Sequence, residues 1–248
     1  MRTTCIFLSL SLLITLNGFA QATTQPVDGN VDLSEVTSQI IDRTNAFRAE
    51  QKLPAVQTDN KLSATAADFA KFMADTGKYG HDADGRQPHE RAEAHRYEYC
   101  MVLENIAYQH NSQGTSQEEL ITFFVEGWKN SPGHRKNMLD PDITQTGVAV
   151  ARGVNGYYYA VQMFGRPKSA MIRFEITNNA DVAFDYKVGD EKYTIAPRQI
   201  RSHGICKALK IEMHLPGEKE PQAIAPADGD RFSFRKVRDG RYEFHRAK

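Results

Sequence analysis

The sequence predicts an α/β layered domain followed by a small all-β unit. Three observations carry that expectation: apolar residues at helical spacing through the first half, a four-residue turn signal between two strand-like runs near the middle, and short alternating runs from Ala170 onward. The 248 residues are 40% hydrophobic and 25% charged, the balance of a soluble globular protein with enough apolar side chain for one or two cores. The 31 basic and 31 acidic residues cancel, so there is no global field to hold nucleic acid or an anionic membrane. Only 3 cysteines are present, which excludes a dense disulfide framework and a four-cysteine zinc site within one chain.

The N-terminus reads as an export signal over residues 1–22. Arg2 precedes an apolar run from Cys5 to Leu16, too short to span a bilayer, and Ala20-Gln21-Ala22 supplies the small-residue cleavage pattern. Cleavage is expected after Ala22, with Ala20 as second choice, which sends the mature chain outside the cell or into a periplasm. No later segment reads as membrane-spanning. Cys5 leaves with the signal, so Cys100 and Cys206 are then the only cysteines in an oxidising compartment, and a disulfide between them is expected.

After the polar linker Gln21 to Asp32, Val36, Ile40, Thr44 and Phe47 mark one face of a first helix, ended by Leu53-Pro54. A second helix starts at Asp59 or Asn60, buries Leu62, Ala66, Phe69 and Met73, and stops at Gly77. Residues 77–98 read as a long polar loop, a length that inside a compact domain marks function. Within it Asp82-Ala83-Asp84-Gly85 resembles part of a calcium loop but lacks the third acidic position and the distal glutamate, so a tight turn is expected. Val102 to Tyr108 suits a strand. Thr115-Ser116 opens a third helix with Glu118 and Glu119 as capping partners and Leu120, Phe123, Phe124 and Trp128 on its core side. Ser131-Pro132 starts a short fourth helix through Leu139, which Asp140-Pro141 stops. Two strands follow, Thr146 to Arg152 and Tyr157 to Phe164, joined by Gly153-Val154-Asn155-Gly156 as a hairpin. In Tyr157-Tyr158-Tyr159 the middle ring should face one layer and its neighbours the other.

Beyond Gly165-Arg166-Pro167, six alternating runs (Met171–Ile176, Ala183–Val188, Lys192–Ile195, Leu209–Met213, Arg231–Phe234 and Arg241–Phe244) indicate a small sandwich or open barrel over residues 170–248. Its basic C-terminal stretch reads as a solvated strand face.

The residues with chemistry to offer lie in the first domain. His81 stands in the polar loop, His134 in Ser131-Pro132-Gly133-His134-Arg135, and Glu104 in Glu104-Asn105-Ile106-Ala107. A carboxylate flanked by Leu103 and Ile106 is costly to bury unless it meets a cation, a hydrogen-bond donor or a metal. His89, His95, His110, His203, His214 and His245 have polar sequence neighbours and read as surface residues.

His81, the Glu-Asn-Ile-Ala segment at 104–107, Trp128 followed by Asn130 to Arg135 and Asn137, and the closing Gln162-Met163-Phe164-Gly165 resemble the bacterial branch of the CAP superfamily. This is the family of cysteine-rich secretory proteins, antigen 5 and pathogenesis-related proteins, also called SCP-like extracellular proteins. The likeness covers about Val36 to Phe164 and implies a three-layer α-β-α sandwich over residues 34–166 with an open cleft holding two histidines and two acids. His81 matches the first histidine, Glu104 the first acid and His134 the second histidine. The second acid of eukaryotic members falls at Ser131, and Glu126 lies on another helical face. The cleft residues are therefore His81, Glu104, Ser131 and His134.

Three chemistries remain open for them. His81, His134 and Glu104 suffice as three ligands of a divalent metal such as zinc, with one position left for water. Alternatively Glu104 orients both rings in a metal-free polar cluster. In a third reading Ser131 is a nucleophile, His134 its base and Glu104 the orienter. The expected function is a secreted binding module for a metal or small ligand at a cell envelope, its β-unit contacting a protein or glycan partner. The alternative is a secreted hydrolase, metal-dependent or serine-based, acting on peptide or envelope material.

Overall fold

The computed structural model describes residues 31–247, so the expected export signal lies outside the described residues. The first helix, α1 (Leu33–Glu50), is capped by Asp32, whose carboxylate accepts the Ser34 and Glu35 N–H groups. A two-residue strand, β1 (Gln57–Thr58), leads to α2 (Asn60–Thr76), capped by Asp59 and closed by Gly77 in the left-handed conformation at φ 68°. The segment expected to be loop contains a further helix, α3 (Pro88–Ala94). Its signals are Pro88 at the first position and a reciprocal Gln87–Glu90 capping box, which outweigh the polarity of the surrounding chain.

Strand β2 (Tyr99–Gln109) extends beyond the expected Val102 to Tyr108 at both ends. The Ser116–Glu119 capping box then starts α4 (Gln117–Asn130), and Ser131 separates it from α5 (Pro132–Met138). On α4 the buried stripe is Leu120, Ile121, Phe124, Val125 and Trp128, while Phe123, expected in the core, is 46% exposed. A hairpin of β3 (Gln145–Arg152) and β4 (Tyr158–Pro167) completes the domain.

These strands form one sheet in the order β1-β3-β4-β2. On β4 the side chains sort strictly: Tyr158, Ala160 and Phe164 join the cluster under α1 and α4, and Tyr159, Val161 and Met163 join the cluster under α2. The three layers are therefore α, β and α, and β2 is an edge strand whose border is met by α3, α4 and α5. Gly147 lets α2 approach β3, because a Cβ there would collide with the Leu62 and Ser63 backbone. Gly147→Ala is expected to lower stability by about 1–3 kcal/mol, read from chemical unfolding, and an unchanged midpoint would mean that the helix shifts freely.

Arg48 is fully buried against carbonyls. It donates to Pro54 O at 2.8 Å, Met138 O at 2.8 Å and Asp140 O at 2.9 Å, fastening the C-terminal end of α5 to α1.

The C-terminal unit is a sandwich of two four-stranded sheets with its own hydrophobic core. Its strands are β5 (Ile172–Asn178), β6 (Phe184–Val188), β7 (Glu191–Ile195), β8 (Ile200–Ile205), β9 (Ile211–Met213), β10 (Gln222–Ile224), β11 (Asp230–Lys236) and β12 (Tyr242–Arg246). The sheet orders are β10-β9-β6-β7 and β12-β11-β5-β8. Two strands escaped the sequence pattern, β8 and β10. Both are edge strands, where one face and one border meet water and alternation weakens. His203 on β8 is half-buried, contrary to the surface placement expected: its ring stacks on Phe174 at 5.0 Å and shares a 2.7 Å hydrogen bond with the Tyr186 hydroxyl. Burial lowers its pKa and pushes the Tyr186 hydroxyl up to about 12.

Cys100 on β2 and Cys206 after β8 form a disulfide with a Cα separation of 5.4 Å. Beside it the Ala208 N–H donates to the Asp142 carboxylate at 2.8 Å. No helix among the described residues is long and apolar enough to cross a membrane.

Candidate functional site

The expected cleft residues gather around β2. His81 comes from the turn after α2, Glu104 from β2 and His134 from the first turn of α5. His81 Nδ1 lies 2.8 Å from Glu104 Oε1. The Glu104 side chain is 1% exposed, whereas that of His81 is 51% exposed, so the carboxylate is the floor and the imidazole the wall.

The cation required by a buried carboxylate is Arg91, which the sequence reading did not single out. Its Nη2 forks across Glu104, 3.0 Å from Oε1 and 2.8 Å from Oε2. Its Nη1 meets Asp84 Oδ1 at 2.7 Å, and its guanidinium lies 3.6 Å from the centre of the Phe69 ring. Asp84 also pairs with Arg86, and these contacts with the Asp82 O to Gly85 N–H bond make the segment a tight turn. The Arg86 and Arg91 contacts hold the Asp84 carboxyl below its usual value against the opposing effect of burial. Arg91 was legible in principle: the Gln87-Pro88-His89-Glu90 helix start places it one turn into a helix beside the loop of His81.

A second set of bonds ties α5 to β2. Asn105 Nδ2 donates to His134 O at 3.2 Å, and Asn137 Nδ2 donates to Glu104 O at 3.1 Å and Asn105 Oδ1 at 2.9 Å. Ile106 O receives both Trp128 Nε1 at 3.3 Å and the Tyr79 hydroxyl at 3.2 Å. Burial, with a smaller contribution from the His81 charge, lowers the His134 pKa and so favours the neutral ring with a lone pair to offer. Exposed Tyr79 and Tyr108, with ring centres 4.8 Å apart, form an aromatic rim on the α2 side.

The four expected cleft residues thus separate into roles. His81 and Glu104 are hydrogen-bonded, and His134, tied through its carbonyl to Asn105 on the same strand, lies within reach of the His81 charge. Ser131 is the junction between α4 and α5, makes no capping side-chain bond, and has no hydrogen bond to His134 among the described residues. Glu126 is turned to Lys129 Nζ at 2.8 Å on the exposed face of α4. Among the described residues no group of three His, Cys, Asp or Glu side chains is arranged to hold a metal ion. The Glu104 oxygens, considered above as a third donor, are engaged by Arg91 and His81.

The family model described as CAP, the cysteine-rich secretory protein family, matches residues 41–164. The uncharacterized protein YkwD of Bacillus subtilis (strain 168) is 29% identical over 148 residues, 59% of this chain and 54% of YkwD. The uncharacterized membrane protein YlbC of the same organism is 30% identical over 115 residues, 46% of this chain and 31% of YlbC. The chain therefore spans about half or less of the length of these curated relatives. An outer surface protein from Borrelia burgdorferi shares the fold, with a TM-score of 0.50 at 19% identity over 56% of this chain and 97% of that one.

Proposed function

From the premise that this chain belongs to the cysteine-rich secretory protein (CAP) family, we propose that it is a secreted binding module whose His81 and His134 imidazoles take a divalent metal such as zinc, or a small ligand, at the cell envelope. The observation that carries this reading is the division of labour at Glu104. A carboxylate already shared by Arg91 and His81 orients a ring and leaves the imidazoles as the donors facing the cleft. A bound metal would be a Lewis acid or a bridge to a ligand oxygen or nitrogen, its remaining positions filled from solvent or ligand. Glu104 then holds His81, Asn105 holds the His134 backbone, and Tyr79 and Tyr108 give the ligand an aromatic wall. The β-sandwich, fastened by the disulfide close to the cleft, is the surface for a protein or glycan partner.

Turnover is less well supported than binding. The second acid of the tetrad would add a further general acid or base at the cleft, and hydrolysis by Ser131 needs a base bonded to its hydroxyl. Neither Glu126 nor Ser131 has that placement.

Zinc titration of the mature chain tests the proposal, with a His81→Ala, His134→Ala double variant as control. The expected result is one zinc per wild-type chain and none in the variant. Equal zinc in both would remove the histidines as ligands, and hydrolysis of peptide or ester substrates by the wild type alone would favour the enzyme reading.

A further inference from the structure

We infer that Arg91 is the positioning residue of the cleft, deciding which nitrogen of His81 faces the ligand. The inference rests on the binding reading above only for what the ligand is. Its own ground is the set of five contacts made by one guanidinium whose side chain is 2% exposed. Two go to backbone carbonyls at the two ends of the 81–86 turn, His81 O at 2.7 Å from Nη2 and Arg86 O at 2.7 Å from Nη1. A third goes to Asp84 inside that turn, and the last two fork across both oxygens of Glu104 on β2. The turn that carries His81 and the strand that carries its partner are thereby referred to a single rigid group.

The consequence falls on the His81 ring. An ionised carboxylate only accepts hydrogen bonds, so in the 2.8 Å contact with Glu104 Oε1 the proton belongs to His81 Nδ1. The Arg91 guanidinium forks across both oxygens of that carboxylate, so Glu104 meets the ring as an acceptor and the imidazole is held with its proton on Nδ1. Nε2, on the opposite side of a half-exposed ring, is then the bare nitrogen available to a metal or a hydrogen-bond donor. Lysine cannot replace this arrangement. A single ammonium has the charge but not the planar fork that meets Glu104, Asp84 and the two carbonyls at once.

The test reads the ring directly. Long-range proton–nitrogen NMR of the metal-free wild type should show His81 as Nδ1–H, with Arg91 Nη protons in slow exchange. A His81 ring protonated at Nε2, or freely exchanging Arg91 protons, overturns the inference without reference to any ligand. In Arg91→Lys and Arg91→Gln the expected result is a mixture of His81 tautomers and a zinc affinity about 10- to 100-fold weaker in competition with a chelator. A folded variant that keeps the pure Nδ1–H tautomer overturns the inference equally. If the wild type binds no zinc but shows the expected tautomer, the metal reading fails and the role of Arg91 stands.

Discussion

Trp128→Ala is expected to destabilise the protein by about 3–5 kcal/mol. The indole is 1% exposed, packs on Phe124 with ring centres 6.1 Å apart, and donates its Nε1–H to Ile106 O. Truncation opens a cavity between α4 and the sheet and also removes one of the two donors on a buried carbonyl. Because it is the only tryptophan, native emission reports its surroundings directly, and urea titration of the wild type and variant gives the difference. A red-shifted native spectrum, or a loss below about 1 kcal/mol on the large-to-small scale, would contradict the packing described. Since the indole grips β2 two residues from Glu104, the variant should also bind cleft ligands more weakly.

The second large effect belongs to the disulfide. Its sequence separation of 106 closes a long loop, for which the chain-entropy model gives about 4–5 kcal/mol as an upper value. Cys100→Ser with Cys206→Ser should approach that loss in thermal or chemical unfolding, most of it from freeing the unfolded chain. Intact-mass analysis of denatured, alkylated protein checks the bridge itself. Two added alkyl groups without reductant would sink it. The variant should keep both cores, since each has its own cluster of buried side chains, and should lose the fixed placement of the sandwich beside the first domain.

The parts of the fold legible in the sequence are those where one residue type answers one local demand. Asp59 and Gly77 bracket α2 because an N-cap oxygen and a left-handed closing residue have few substitutes. The Gly153 to Gly156 turn announced the β3–β4 hairpin for the same reason. Tyr158 and its neighbours sorted to opposite faces by the two-residue period of a strand. Helix α3 was missed because its Pro88 start and Gln87–Glu90 capping box stand in a polar run with little apolar periodicity, and strands β8 and β10 because the sandwich recruits two polar edge segments. Phe123 was misplaced by a single helical step, since Ile121 and Val125 compete for the same stripe.

At the site, the sequence pointed to His81, Glu104 and His134 and to the need of Glu104 for a cation, a hydrogen-bond donor or a metal. The helix start at Gln87 and Pro88 was the one signal toward that partner; Arg91 lies 13 residues from Glu104 in the chain and meets it through the turn that Asp84 helps to shape. The sequence could not distinguish a ligating carboxylate from an orienting one. That depends on which oxygens are already bonded, a property of the assembled cluster.

The border position of β2 bears on how copies of this protein behave at high concentration. An uncovered edge strand is a template on which another chain can add its own strand, and pairing needs free carbonyls along that border. Here the outward carbonyls of Glu104 and Ile106 are taken by Asn137, Trp128 and Tyr79. The side chains that brace the cleft therefore also deny those acceptors to a foreign strand. Colloidal stability and ligand binding share the same hydrogen bonds, so a variant that frees Asn137 or Trp128 should self-associate as well as bind poorly.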